Sequence, residues 1–283
     1  MQQVELTPTG EFFITQSNTG TAAGLYTTVI TRFPGTAGAS ATEELDAMVI
    51  VDGGHGLGLH IEVGPGGRKY VWASLQGDVQ QGDPTGGRLA RFRYTPGTFT
   101  IDAIPGGVWF ARQFKNAYGE YQESIYNFDA AEGYVVERMY DFHTNHQERF
   151  TRRRITDLLL GIDRPLGRLV LPVNPPTLQG FATMNSTFFR WCGLSNAGSG
   201  SPVPTDPMSL EQYDWTTGAR IATRSFPTLG QTGGAWRDGA YEPEGCSVYR
   251  EPDGTASLLV GLNTGLPGDH ESLVSKFPSI GAA

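Results

Sequence analysis

Short runs of alternating apolar and polar residues follow one another along this chain. Before residue 105 they read EFFITQS, LYTTVITRF, AMVIV, LHIEV, RKYVWASL, RLARFRY and TFTIDAI, with Gly, Pro, Asn and Asp between them. In an extended chain, residues two apart share a face, so this period buries one side of a strand, and the turn residues set strands beside one another. The pattern continues through GVWFARQF, GYVVERMY, GFATM, TFFRWCG, LEQYDW, ARIATRSF, CSVYREP and ASLLVGL. Only RRRITDLLLG hints at a helical turn. The proline-rich RPLGRLVLPVNPPTLQG is too apolar for a flexible linker and reads as an ordered crossing between blades or subdomains.

With this many strands, internal repetition decides the architecture. The stretch GLHIEVGPGGRKYVWASLQ from Gly58 lies without a gap on GCSVYREPDGTASLLVGLN from Gly245. Identities fall at Gly58/Gly245, Pro65/Pro252, Gly67/Gly254 and Leu75/Leu262, and apolar faces apolar at Ile61/Val248, Val71/Leu258, Trp72/Leu259 and Ala73/Val260. Each copy reads strand, tight turn, strand, which describes one hairpin. Two such hairpins far apart suggest small sheets repeated around a central channel. At roughly 40 to 50 residues per blade, 283 residues hold five blades, with six as the alternative and a two-sheet β-sandwich as the other. The expectation is therefore an all-β chain forming one β-propeller domain over residues 1–283, with short tails at about 1–9 and 266–283.

Composition agrees with an all-β chain. Thirty-eight glycines, eighteen prolines and 18% charged residues suit a chain of turns rather than a helical bundle or a disordered polar tail. The net charge of −8 speaks against broad binding to nucleic acid or anionic membranes, so an anionic partner must be met locally. Lysine stands only at positions 69, 115 and 276, leaving arginine to supply nearly all the positive charge, with its planar fork for carboxylate or phosphate. Cys192 and Cys246 lie in no metal or redox spacing and are expected as buried small apolar residues. The opening MQQVELTPTGEFF lacks the basic start and apolar run of a secretory signal, and no run suits a membrane helix.

Several polar clusters are candidates for chemistry. On a strand, His60 and Glu62 share a face, and with His55 they suggest glycan contact or a metal; the plainer alternative is a polar strand face with a hydrogen-bonded His55. Glu242 and Glu244 in EPEG could bind a ligand or cation, or act as the paired carboxylates of a glycosidase. The plainer alternative has them shape the entry to a blade. His143 and His146, beside Asp141, have a weak metal spacing, and Arg152, Arg153 and Arg154 read as a solvated face or subunit contact. Among the tryptophans, Trp72 is expected between sheets, whereas Trp236 in a glycine-rich loop, with Arg237 beside it, is the preferred sugar and phosphate contact. No G-x-S-x-G elbow or P-loop is present, and GGHGLG lacks the dinucleotide spacing. We therefore assign no catalytic residue, metal ligand or cofactor, leaving a bound cation open.

Taken in order, LYTTVITRF, DAMVIVDGGHGLGLHIEV, YVWAS, RLARFRYTPG, QGFATM, YDWTTGA and YEPEGCSVYREPDGTASLLVGLNTG resemble the β-propeller domain shared by phage receptor-binding proteins and proteins labelled teichoic acid biosynthesis protein C. The bacteriocin helveticin resembles the same group. The resemblance runs from about Gly10 to Gly265, strongest at GGHG and EPEG, and loosest between Thr95 and Pro176. It implies a phage tail-tip or baseplate protein that recognises Gram-positive cell-wall glycopolymer such as teichoic acid. Other implications are a place in the virion, contacts to other tail proteins and a homo-oligomeric state. A structural tail component without its own ligand, or an enzyme acting on wall glycan, are the alternatives.

Overall fold

The computed structural model describes residues 2–19, 26–35, 43–75, 87–111, 124–141, 147–172, 177–194, 208–232, 234–251, 253–265 and 271–278. Their strands form five separate sheets, so the expected propeller is five-bladed and neither six-bladed nor a sandwich. Blade 1 holds β1 (Gln3–Leu6), β2 (Phe12–Thr19), β3 (Tyr26–Phe33) and β4 (Asp46–Val51), each antiparallel to the next. Blade 2 begins with β5 (Leu59–Val63), β6 (Lys69–Leu75) and β7 (Arg88–Arg93). The chain then leaves the blade, and β8 (Gly97–Thr100) pairs in parallel with β4 before β9 (Val108–Phe110) returns as the outermost strand of blade 2. This excursion ties the first two blades together.

Blade 3 holds β10 (Ser124–Asp129), β11 (Tyr134–Asp141), β12 (Gln147–Arg154) and β13 (Gly167–Pro172), with helix α1 (Ile155–Leu159) between the last two. Blade 4 holds β14 (Leu178–Met184), β15 (Thr187–Cys192), β16 (Ser209–Asp214) and β17 (Arg220–Ser225). Blade 5 has three strands among the described residues, β18 (Tyr241–Arg250), β19 (Ala256–Thr264) and β20 (Glu271–Pro278). The innermost strands β1, β5, β10, β14 and β18 touch in that order, and β18 touches β1, which closes the ring.

Each hydrophobic cluster is a seam between neighbouring blades. Phe13, Ile30 and Met48 of blade 1 meet Ile61, Val71 and Phe92 of blade 2. Trp72 and Leu89 meet Tyr126, Phe128 and Val135 across the next seam, and Phe150 and Leu169 meet Phe181 and Phe188 across the third. Trp191 and Leu210 pack on Cys246 and Val260, and Val4 completes the circle against Tyr249 and Leu259. A blade inside such a ring buries both of its faces, and each large apolar side chain placed there stabilises the fold by about 1.5–3 kcal/mol.

The internal repeat survives in the pairing, residue for residue. Ile61 lies opposite Val71 and Val248 opposite Leu258, while Leu59 lies opposite Ala73 and Cys246 opposite Val260. Both turns close with equivalent bonds, Gly64 N–H to Arg68 C=O at 2.7 Å and Glu251 N–H to Thr255 C=O at 2.8 Å. Gly58 and Gly245, which head the two copies, share a further reason for lacking a side chain. A Cβ on Gly58 would stand 2.2 Å from the Tyr126 carbonyl oxygen, and one on Gly245 would stand 2.8 Å from Gln3 Cα. Inner strands approach too closely there for anything larger.

Several expectations are corrected. Residues 3–6 and 271–278, expected to fall within tails, are strands of blades 1 and 5. GRLVLP, expected within a proline-rich crossing, pairs with β12 as the outer strand of blade 3, and LQG opens β14. The arginines of β12 are not a uniform solvated face. Arg153 is buried in an ion pair with Glu137, and Arg152 stacks near Tyr134 and Trp215, leaving Arg154 exposed.

Candidate functional site

A cavity of about 240 Å³ opens on the propeller axis, near the starts of the inner strands. Its lining draws together three of the stretches that carry the resemblance: His55 from GGHG, Gln179 to Phe181 from QGFATM, and Glu244 from EPEG. The GGHG segment reaches the axis because it links β4 to β5, held by Thr28 Oγ1 donating to Gly54 C=O at 2.7 Å. His55 is half-buried, with its ring 4.5 Å from that of Tyr26.

Two side-chain amides at this cavity join blades to one another, while Gln179, Arg138 and Glu244 bond within their own blade. Gln3 Nε2 and Asn127 Nδ2 both donate to the Cys246 carbonyl, at 2.9 and 2.8 Å, and Gln179 Nε2 donates to Gly193 C=O at 3.0 Å. Arg138 is paired with Glu148, which also faces Arg190. Glu244 is buried and receives a long 3.5 Å bond from Asn263 Nδ2. Burial, with Glu242 as a like charge nearby, pushes the Glu244 carboxyl well above its ordinary value. Among the described residues no three His, Cys, Asp or Glu side chains gather in a way that could hold a metal. What lines the cavity is engaged amides, the ion-paired Arg138 and the buried Glu244.

His60 and Glu62 do share a face of β5, but they serve different neighbours. His60 Nδ1 lies 2.8 Å from Glu5 Oε1 of β1, and its ring stacks on Phe128 at 5.1 Å. Glu62 instead grips Arg91 with both oxygens, at 2.8 and 2.7 Å, and accepts from Trp72 Nε1 at 2.9 Å. The Arg91 guanidinium holds the Glu62 carboxyl below its usual range. These two residues therefore tie blade 2 to blade 1 and brace its own sheet. Glu242 is half-buried on β18, opposite Asn263.

The preferred contact pair is less available than its glycine-rich setting suggests. Trp236 is half-buried, stacked 4.4 Å from Tyr241, and its indole N–H donates to Leu229 C=O at 2.8 Å. Arg237 is exposed beside Asp238, 3.8 Å away. Trp72 is buried in a seam, as its equivalence to Leu259 implied. Neither cysteine is in a disulfide, and both are buried. His143 and His146 lie outside the described residues.

A second concavity, of about 470 Å³, lies on blade 2 and includes residues the sequence reading did not select. Arg68, Tyr70, Arg91, Arg93 and Trp109 line it. The signal was present in two strands, RKYVW and RLARFRY, whose arginines and aromatics alternate onto one face once paired. Tyr70 stands opposite Arg93, Trp72 opposite Arg91, and Arg91 opposite Trp109. Recognising that face needs the register.

A five-sheet ring sealed by its inner strands defines the class, a five-bladed β-propeller. Residues 3–273 match the phage 5-bladed beta propeller receptor binding platform domain, and the chain belongs to that family. It is 26% identical over 242 residues to the putative major teichoic acid biosynthesis protein C of Bacillus subtilis (strain 168), covering 83% of this chain and 50% of that protein. The tail fiber of Staphylococcus aureus phage P68 has the same fold at a TM-score of 0.74 and 19% identity, covering 99% of this chain and 50% of that one. The chain thus spans about half the length of each of these two proteins. No helix among the described residues is long and apolar enough to cross a membrane.

Proposed function

We propose that this chain is the host-recognition domain of a phage tail, binding the cell-wall glycopolymer of a Gram-positive host at adsorption. The observation that carries the reading is the match of residues 3–273 to a receptor-binding platform family. Likeness to a tail fiber and to a protein named for teichoic acid biosynthesis supports the tail setting and a teichoic acid-like ligand. The domain works by binding rather than turnover: Glu244 is buried in a ring seal beside amides that are themselves engaged. Its partners are the glycopolymer, other tail proteins and further copies of itself in the virion. Several copies convert weak sugar contacts into firm adhesion through effective concentration.

Capture of the purified protein on Gram-positive cell walls, before and after chemical removal of their teichoic acids, tests the reading. Capture that disappears with the teichoic acids is the expected result. Absence of capture by walls of a verified host would make the domain a structural tail component.

A further inference from the structure

The concavity on blade 2 has a composition that a protein of net charge −8 does not produce by default. Three arginines and three large aromatic residues line it, and among the described residues no carboxylate does. Arg91 is already committed: Glu62 clamps it, and its guanidinium lies 4.0 Å from the centre of the Tyr70 ring. It therefore stiffens the floor. Arg68, just before β6, and Arg93, at the end of β7, are exposed, and neither has an ion-pair partner among the described residues. Trp109, on the outermost strand of the blade, is 38% exposed and set edge-on against Trp72 with ring centres 5.8 Å apart. A rigid, partly exposed indole beside two uncommitted guanidinium groups joins a surface for a sugar ring to donors for phosphate oxygens. At about 470 Å³ the space suits one or two units of a polymer rather than a deep small-molecule site.

We propose that this blade-2 concavity is an anion subsite for a phosphodiester-linked glycan, in which Arg68 and Arg93 hold the phosphate and Trp109 packs on the sugar. The proposal rests on the glycopolymer reading above and assigns it a surface. It displaces the Trp236 and Arg237 pair, whose indole N–H is used internally. An alditol-phosphate chain bearing sugar substituents is the ligand chemistry that uses both halves of the site.

The experiment titrates the full chain with a soluble glycosylated glycerol-phosphate oligomer, with the bare oligomer, and with the same glycan lacking phosphate, following heat of binding. Arg68→Glu with Arg93→Glu is compared with Arg154→Glu with Arg224→Glu, which makes the same charge change at exposed sites on blades 3 and 4. Loss of one charge-assisted contact corresponds to roughly tenfold in affinity, so the first pair is expected to bind both phosphate oligomers at least about tenfold more weakly, and the second pair to bind like wild type. Trp109→Leu keeps an apolar contact with Trp72 and is expected to lose affinity for the glycosylated oligomer while binding the bare one unchanged. Wild-type protein that fails to bind either phosphate oligomer, or a first pair that binds as wild type does, overturns the subsite. Wall capture separates this from the broader reading. A first pair captured as well as wild type removes the subsite and leaves recognition standing, whereas wild type that no wall captures removes recognition while the titration still decides the concavity.

Discussion

Gln3 clasps Cys246 across 243 residues of chain, its Nε2 donating to the Cys246 carbonyl at 2.9 Å and its Oε1 accepting the Cys246 N–H at 3.0 Å. A side-chain amide here takes the part a neighbouring strand would play, at a bulge where β18 leaves its regular register with β19. Gln3→Ala would strand the buried Cys246 N–H, while Asn127 still serves the carbonyl. The expected cost is about 1–3 kcal/mol, read as a lower urea midpoint with an unchanged m-value. A midpoint equal to wild type would mean that blade seams alone close the ring.

Why the clasp escaped the sequence reading is instructive. Hydrophobic alternation identified β2 to β7, β14 to β16, β18 and β19 because their buried residues are mostly apolar, and the Gly58 and Gly245 copies revealed the hairpin they share. It passed over β12, where Glu148, Thr151 and Arg153 are buried and the apolar signal is broken. It also treated Gln3 to Leu6 as tail, since four residues carry little period. The parallel pairing of β8 with β4 was equally hidden, because alternation tells which face is buried and not which sheet a strand joins. At the sites the limit was partner identity. His60 and Glu62 were correctly placed on one face, but Glu5 and Arg91, which occupy them, come from strands 55 and 29 residues away.

The seam between blades 3 and 4 contains a charged ladder beside its aromatic cluster. Glu211 accepts from Arg190 at 3.0 Å, from Arg220 at 3.2 Å and from the Tyr213 hydroxyl at 2.9 Å, with Arg190 and Glu211 both buried. Among the described residues, Glu211→Ala leaves Arg190 with the more distant Glu148 at 3.5 Å as its remaining carboxylate. Breaking a buried pair from one side is expected to cost about 3–5 kcal/mol in denaturant unfolding, far above the loss of a surface pair such as Lys276 with Glu251. Equal losses from Glu211→Ala and Glu251→Ala would show that the ladder carries no special weight.

Cys192 and Cys246 lie in β15 and β18, form no disulfide and are fully buried. Burial pushes the Cys246 thiol well above its ordinary value, so the reactive thiolate is scarce at neutral pH. A thiol reagent such as DTNB is expected to label neither residue in the native protein and both in denaturant. Fast labelling without denaturant would mean that the seam between blades 4 and 5 opens readily.

Glu244 supplies a pH dependence whose sign is fixed by its direction of shift. Its carboxyl titrates in the unfolded chain near the ordinary 4.5 and in the folded protein well above that, so over this window the native state binds more protons. Stability contributed at this site therefore falls as pH rises from about 4.5 toward the native value. Glu244→Gln keeps an oxygen to accept from Asn263 and cannot ionise. Its melting temperature, measured against wild type from pH 4 to pH 8, is expected to move from near equality to a clear advantage at the upper end. Capture on cell walls should meanwhile be unchanged, because the residue belongs to the ring seal. A variant less stable than wild type at pH 8 would show that the native carboxylate is ionised and well served, and would return EPEG to consideration as a site for a cation.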